Sequence, residues 1–331
     1  MSNFNLTTIS CPLCGAEEGK DLFNTRDYAL KVSDQQFTLK ECGNCGVGYL
    51  SPRPAEADIG AFYPESFYWM HENSEDELDG EQLLSVRKQQ LEAKAECLAH
   101  LEPGRLLDIG AQKGDFMHWM QQKGWSCEGV EYSDTPPNLF NMPIRYGEFQ
   151  NMEWEQADFD CVTMWAVLEH VYHPGKYIRK ISTLMRPGGK FFGLVTNLDS
   201  LQARYLKKDD YPRHLTIFTR DSLERALRAN GFRLDRYWTD QKIFGGSMQG
   251  LITYMTKRLF GYSDDEVMAE WKDPQRSDAF CCQWRGKPSW LMKQVSRFDK
   301  LSISLPEKLF DRMGKGFILT WEATYVGEKN V

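Results

Sequence analysis

The residues best placed to do chemistry surround one glycine-containing turn in residues 106–131. Two leucines lead into Asp108, and Gly110 and Gly114 follow in the pattern D-x-G-x-x-x-G. A helix-like segment comes next, and a second apolar run ends in Glu131. Glycines let a backbone approach a ligand closely, and an acid at the tip of the next strand can accept hydrogen bonds from two ribose hydroxyls. The pattern therefore indicates strand, turn, helix and strand around a nucleotide-type site.

The spacing of the glycines narrows the choice of ligand. A dinucleotide fingerprint has three glycines and seats a pyrophosphate on a helix N-terminus, whereas this turn has no third glycine and no basic partner. The acid at the strand end disfavours phosphate and suits an amino acid or sulfonium ligand. The motif resembles the first motif of class I S-adenosylmethionine-dependent methyltransferases, D-x-G-x-G-x-G. Gln112 replaces the middle glycine of that motif, which predicts a more restricted loop.

The following sequence extends the resemblance. Residues 159–197 read as a buried strand, the turn Leu-Glu-His, a helix, Arg-Pro-Gly-Gly and another strand, in an order similar to the fourth and fifth strands of the same family. Residues 214–231 resemble the segment before the family's sixth strand, and Asp221 with Glu224 predicts a capping box there. The resemblance covers roughly residues 105–238 in continuous order.

The fold that this resemblance implies is α/β, with a Rossmann-like seven-stranded sheet and helices on both faces. Residues 232–238 fit the sixth strand, and residues 317–326 fit a seventh strand inserted antiparallel. The segment between them then forms a helical insertion, and a lid and a structural or partner-binding subdomain are equally good interpretations of it. Four helices are predicted in the insertion, at 248–259, 264–271, 289–301 and 306–313.

Four of the nine cysteines form a metal-ligand pattern. Cys11 and Cys14 make one C-x2-C pair, and Cys42 and Cys45 make another after 27 intervening residues. Two such turns offer four thiolates, which suit tetrahedral Zn2+, and a closed shell of four leaves no position for catalysis. We therefore expect a structural zinc ribbon, with two unrelated redox or surface pairs as the alternative. The other cysteines are scattered, which favours a reducing, cytoplasmic environment.

These patterns divide the chain into five predicted parts. An amphipathic helix follows an aromatic-rich stretch between the ribbon and the first core strand. The predicted parts are a zinc ribbon (1–53), a helical connector (54–100), the S-adenosylmethionine-binding core (101–242), the helical insertion (243–314) and the last core strand with the C-terminus (315–331).

The resemblance also implies roles for residues at the carboxyl ends of the parallel strands. Asp108 and Gly110 would line the methionine end of S-adenosylmethionine, Glu131 would bind its ribose, and Tyr132 would flank its adenine. Trp165 borders the sulfonium side or belongs to the core. The other cofactor-binding candidates are Gln112, Gly114, Phe149 and Ala166.

A hydroxyl acceptor of high pKa also needs a base, and a histidine or carboxylate is the usual one. His214 lies after the fifth strand, on the side where the family brings its acceptor, and is the first candidate. His170 lies beside the end of the fourth strand and is the second. Either histidine could instead have a structural role.

Composition constrains the possible partners. The chain has 331 residues, 41% of them hydrophobic and 26% charged, with a net charge of −7. These values are ordinary for a globular protein, and no apolar run approaches a membrane span. The acidic balance argues against dependence on a nucleic-acid backbone, which needs a basic footprint.

Function is predicted from the combined modules. The architecture resembles zinc-ribbon methyltransferases of bacterial polysaccharide and natural-product pathways, which implies O-methylation of a sugar, glycoconjugate or other small hydroxylated acceptor. One alternative is an RNA methyltransferase whose ribbon contacts nucleic acid. The other is a non-catalytic cofactor-binding protein, which Gln112 keeps open. The sequence names neither the acceptor nor the oligomeric state.

Overall fold

The computed structural model describes residues 4–64, 78–133, 137–155, 157–205, 209–245, 247–271 and 277–327. Residues 65–77 of the predicted connector (54–100) therefore lie outside the described residues. The strands are β1 (Leu6–Thr7), β2 (Gly19–Thr25), β3 (Phe37–Cys42), β4 (Gly48–Leu50), β5 (Arg53–Pro54), β6 (Arg105–Ile109), β7 (Ser126–Glu131), β8 (Ile144–Tyr146), β9 (Phe159–Trp165), β10 (Met185–Thr196), β11 (Thr216–Ile217), β12 (Phe232–Thr239), β13 (Gln283–Trp284), β14 (Lys287–Pro288) and β15 (Ile318–Tyr325). The α-helices are α1 (Gly80–Leu98), α2 (Asp115–Gln121), α3 (Pro174–Leu184), α4 (Leu201–Arg204), α5 (Arg220–Ala229), α6 (Leu251–Leu259), α7 (Asp264–Trp271), α8 (Ser277–Cys282), α9 (Trp290–Ser302) and α10 (Ser304–Arg312).

A seven-stranded sheet forms the centre of the described chain, in the order β12-β15-β10-β9-β6-β7-β8. The strands from β10 to β8 pair in parallel, and β15 lies antiparallel between β10 and β12. This order confirms the predicted class I methyltransferase sheet, including the inserted last strand. Because the strands are parallel, the carboxyl ends of β6, β7, β9 and β10 meet at one edge, where the candidate site residues lie.

Burial on both faces explains why the central strands read as continuous apolar runs. All residues of β9 except Asp160 are buried. The last six residues of β10, 191–196, are also all buried. Helix α3 packs on the sheet through Tyr177, Ile178, Ile181 and Leu184. Helix α5 begins with a capping box made by Thr219 and Ser222. The prediction of a box from Asp221 and Glu224 was therefore wrong, because the helix starts two residues earlier than expected.

The cysteine-rich N-terminal part shares a sheet with the methyltransferase-like core. Its strands β2, β3 and β4 form a four-stranded sheet whose fourth member is β11, from far along the chain. The side chains of Asp27 and Arg213 form a fully buried ion pair between the same two parts. The two parts are therefore packed as one unit at the position where β11 begins.

The insertion is helical as expected, with two additions. Helices α6, α7, α9 and α10 occupy the four segments predicted as helical. Helix α8 and the short β13–β14 hairpin were not predicted from the sequence. The hydroxyl of Tyr28 donates to Asp265 and so joins the N-terminal part to α7. None of the helices within the described ranges has the length and hydrophobicity needed to cross a bilayer.

Candidate functional site

The glycine-containing turn after β6 is held in a left-handed backbone conformation. Gly110 and Gly114 have φ of 85° and 82°, values that side-chain-bearing residues rarely adopt. Gln112, with φ of 47°, adopts the same region without being a glycine. The turn thus holds a residue with a side chain in the left-handed region, at the cost of local backbone strain.

Glu131 fixes this turn from the tip of β7. Its carboxylate accepts hydrogen bonds from the backbone N–H of Gln112 at 2.9 Å and of Tyr132 at 2.7 Å. Burial raises the pKa of Glu131, and the backbone N–H bonds partly offset this. An acid predicted to bind a ligand therefore also organises the loop that would contact the ligand.

Asp108 lies deeper than the motif alone suggests. Its side chain is 2% exposed and accepts a hydrogen bond from the hydroxyl of Thr163 at 2.6 Å, across the β6–β9 pair. Burial raises the pKa of Asp108 to about 7, against the opposing effects of the Thr163 bond and the Lys94 charge. The role of Asp108 at the methionine end stays a prediction, and the structure buries its carboxyl group against Thr163 of β9.

Two cations on helix α1 were not found by sequence reasoning. Arg87 donates to the side chain of Gln112 at 3.2 Å and to Asp115 at 3.1 Å. The ammonium group of Lys94 lies 5.9 Å from the ring centroid of Trp165. From the sequence, this segment was predicted only as an amphipathic helix. The one sign of the two cations was that Arg87 and Lys94 lie two turns apart, on the same face of that helix.

The remaining cofactor candidates differ in exposure. Tyr132 is 70% exposed, whereas Phe149 is buried, with its ring against Trp154 and Tyr177. Ala166 has φ of 57° and lies at the end of β9. Only Tyr132 among the aromatic candidates has a ring open to a ligand in this structure.

Trp165 is buried in the core against Phe116, at a ring-centroid distance of 5.7 Å. Its indole N–H has no hydrogen-bond acceptor within the described part of the chain. A buried donor left without an acceptor is costly, so this one marks a position where a polar ligand atom would be stabilising.

The two candidate histidines lie side by side, although 43 residues separate them. The ring centroids of His170 and His214 are 4.4 Å apart, with the rings nearly perpendicular. Nδ1 of His214 contacts the Asp209 carboxylate and lies 3.2 Å from the Thr196 hydroxyl at the end of β10. Nδ1 of His170 lies 3.0 Å from the hydroxyl of Tyr63, in the connector. Tyr63, Thr196 and Asp209 were all missed by sequence reasoning because their contacts are long-range.

The electrostatics of this histidine cluster come from two buried carboxylates. Burial alone would lower the pKa of His214, but Asp209 and then Glu169 raise it to about 9. Burial raises the pKa of Glu169 to about 7, and the His214 charge opposes this. One carboxylate oxygen of Glu169, Oε2, has no hydrogen-bond partner among the described residues. The cluster can therefore hold or release a proton near neutral and mildly alkaline pH.

The four predicted metal ligands converge in the N-terminal part. Sγ of Cys11 lies 3.6 Å from Sγ of Cys45, and Sγ of Cys14 lies 3.6 Å from Sγ of Cys42. All four sulfur atoms lie within 4.8 Å of one another. Thiolates about 2.3 Å from a tetrahedral zinc ion would be about 3.8 Å apart, so the donor set fits that ion.

Comparison with known proteins assigns the central part of the chain. Residues 84–237 match a family model described as a methyltransferase domain. A ubiquinone biosynthesis O-methyltransferase from Alkalilimnicola ehrlichii is 26% identical over 195 residues, which cover 55% of this chain and 78% of that protein. Residues 84–237 therefore form a methyltransferase domain.

Other relatives of this methyltransferase match shorter parts. A ubiquinone biosynthesis O-methyltransferase from Aeromonas salmonicida is 32% identical over 98 residues, covering 27% of this chain and 41% of the relative. The chain spans less than half the length of this relative and also of the one from Acinetobacter baylyi, which it covers to 44%. The solved structure of 1,6-didemethyltoxoflavin-N1-methyltransferase from Burkholderia thailandensis is similar at 21% identity and a TM-score of 0.42, over 62% of this chain and 88% of that one.

The residues of the methyltransferase fit its cofactor in chemical type. The left-handed turn at Gly110, the carboxylate of Glu131 and the unpaired N–H of Trp165 all lie at or near the carboxyl ends of adjacent strands. Arg87 adds a cation beside the turn. Together these groups offer partners for a ribose, an amino acid and a positively charged sulfur compound.

The charge of His214 provides a test of the histidine cluster. Replacing Asp209 with Asn should lower the pKa of His214 from about 9, because the main group that stabilises the imidazolium is removed. In the native protein the protonated form stabilises the fold below the unfolded pKa of about 6.5, and this contribution is lost as the pH rises through 9. NMR titration of the imidazole nitrogens measures the shift. Asp221→Asn, at an exposed carboxylate, is the control and should leave the titration unchanged. An unaltered His214 pKa in Asp209→Asn would contradict the assignment.

Proposed function

We propose that this methyltransferase transfers a methyl group from S-adenosylmethionine to a hydroxyl oxygen of a small acceptor, such as a sugar, a glycoconjugate or another hydroxylated metabolite, with His214 as the base. The observation that carries the proposal is the contact between Asp209 and Nδ1 of His214 at the carboxyl edge of the sheet. The ubiquinone biosynthesis O-methyltransferases among its relatives support an oxygen acceptor.

The cofactor would be held by residues of β6, β7 and α1. When bound, S-adenosylmethionine supplies an electrophilic methyl group on a positively charged sulfur. Glu131 would accept hydrogen bonds from the ribose hydroxyls, and the ring of Tyr132, which is exposed, would flank the adenine. Arg87, beside the turn, would pair with the carboxylate of the amino-acid end. Because the electrophile is already activated, the chain's main contribution is to align acceptor and methyl group, an effect that can supply roughly 7–11 kcal/mol.

Proton removal falls to the histidine cluster. Asp209 occupies Nδ1 of His214, so Nε2 is the nitrogen that takes the proton from the acceptor hydroxyl. Asp209 then stabilises the imidazolium that forms. His170, oriented by Tyr63, packs against His214 and is the second candidate for the same role. Since the pKa of His214 is about 9, the neutral base becomes more abundant, and kcat/KM should rise, as the pH rises toward 9.

The four cysteines would hold a structural zinc ion. Their sulfur atoms converge as pairs at 3.6 Å, and none of the four would be left for substrate. This ribbon positions the base indirectly, because β4 of the ribbon pairs with β11, two residues after His214. A reducing, cytoplasmic location is part of the proposal, since thiolates must stay reduced to bind zinc.

Replacement of the base should abolish most turnover. With a panel of phenols, catechols and nucleotide-activated sugars, we expect methylation of a hydroxyl oxygen, and His214→Asn should reduce kcat by about 10²–10⁴-fold. Release of S-adenosylhomocysteine measures the rate, and mass spectrometry locates the methyl group. His118→Asn, on helix α2, is the control and should keep full activity. Full turnover by His214→Asn would remove the base from the proposal, and methylation at nitrogen or carbon would overturn O-methylation.

Cofactor affinity should depend on Glu131. In Glu131→Ala the ribose loses a charged acceptor and the turn loses its bond to Gln112, so binding of S-adenosylmethionine should weaken by roughly 10–100-fold. Isothermal titration calorimetry measures this affinity. Glu128→Ala is the matched control, because Glu128 lies on the same strand but pairs with Arg105. Equal affinities of the two variants would place the cofactor elsewhere.

Zinc content should follow the cysteine cluster. We expect one zinc ion per chain by inductively coupled plasma mass spectrometry, and loss of that ion in Cys42→Ser. Cys97→Ser, at a buried cysteine outside the cluster, should retain it. Zinc loss should also lower turnover, because the ribbon sheet includes β11. Purified native protein without zinc, or a fully zinc-loaded Cys42→Ser variant, would disprove the site.

A further inference from the structure

Helices α9 and α10 carry an apolar face that the described chain leaves uncovered. Trp290, Leu301 and Leu305 are 75%, 81% and 77% exposed, and α10 buries none of its residues. Isolated exposed apolar side chains are normal, but a contiguous face of large ones indicates an interaction surface. The exposed apolar residues of this face are Trp290, Leu291, Phe298, Leu301, Leu305, Leu309 and Met313.

The two helices present these residues as one continuous stripe. Ile303, between α9 and α10, keeps a helical backbone with φ of −76° and ψ of −22°. Leu291, Phe298 and Leu301 recur along α9 at spacings of seven and three, and Leu305 and Leu309 recur along α10 at a spacing of four, so each group lies on one side of its helix. The opposite side faces the protein through Met292 and Ser296.

Every fully exposed charge on these two helices is positive. The acidic residues of the two helices are instead turned toward the protein. Asp299 is buried and accepts from the backbone and hydroxyl of Thr253, and Glu307 accepts from the hydroxyl of Ser247. Asp311 is half-buried. The exposed charged residues of α9 and α10 are Lys293, Arg297, Lys300, Lys308 and Arg312.

We propose that the α9–α10 face binds an anionic membrane surface, with the helices lying in the interface rather than crossing it. An amphipathic helix with Trp, Phe and Leu on one side and Lys and Arg beside them is the pattern that inserts shallowly among lipid headgroups. Each basic residue adds attraction to anionic lipid, and the exposed acids that would oppose this are absent from the described part of both helices.

Charge also decides against a second copy of the chain. A two-fold contact through this face would place five cations opposite the same five cations, with no exposed acid in either helix to pair with them. The net charge of the whole chain is −7, so the positive charge of this face is local and not a property of the surface in general. An anionic lipid surface supplies both the missing negative charge and the apolar layer.

Vesicle co-sedimentation of the full-length protein tests the proposal. Binding should be at least tenfold tighter to vesicles of phosphatidylcholine with 30% phosphatidylglycerol than to phosphatidylcholine alone, and should weaken at high salt. Lys300→Glu/Lys308→Glu and, separately, Leu301→Asp/Leu305→Asp should each weaken binding by tenfold or more. Because these side chains are exposed, the variants should fold normally, which circular dichroism checks.

A matched control reverses two exposed charges elsewhere. Lys123→Glu/Arg179→Glu removes the same charge from α3 and the α2–β7 turn and should bind vesicles like the native protein. Equal weakening by this control would show a general charge effect and overturn the proposal. So would failure of the native protein to bind the anionic vesicles, or a solution dimer that Leu301→Asp/Leu305→Asp dissociates.

Discussion

The buried cation Arg213 joins the cysteine-rich N-terminal part to the core, and the proposed site depends on both. Its guanidinium group donates to Asp27 of the N-terminal part and to Asp210 of its own loop, and its side chain is inaccessible to solvent. Removing one partner from a buried ion pair costs about 3–5 kcal/mol, because it leaves an uncompensated charge. His214 is the next residue along the chain, so the contact that joins the two parts also fixes the proposed base.

Through the same contacts, the N-terminal part supports the histidine cluster. A four-cysteine cluster that binds one ion can order a segment too short to build its own core. Here the ordered segment supplies β4, which pairs with β11 beside the histidine cluster. Tyr63, just beyond that segment, reaches His170. The proposed acceptor side of the site would therefore be built largely from residues outside the glycine-containing turn and its neighbouring strands.

The proposed cofactor side depends instead on contacts within one strand–turn–helix–strand unit. Glu131 and Gln112 are bound to each other across one turn, and the turn follows directly from β6. Gln112 shows that a left-handed backbone can be imposed without glycine when a neighbouring carboxylate holds its N–H. A substitution that looked like a loss of the motif is thus accommodated by a hydrogen bond and by the contact with Arg87.

The sequence by itself determined the turn at Gly110 and the apolar strands around it, because apolar periodicity and glycine spacing are local signals, and its resemblance to class I methyltransferases implied the α/β class and the order of the central strands. It also identified four cysteines whose sulfur atoms the fold brings together. Only the tertiary structure decided that His170 and His214 touch and that Asp209 supports His214, because these contacts join segments with no mutual pattern. The tertiary structure also decided that Asp108 is buried and that the cations of α9 and α10 are exposed while their acids are not. The reason is the same, because burial depends on packing between distant parts of the chain.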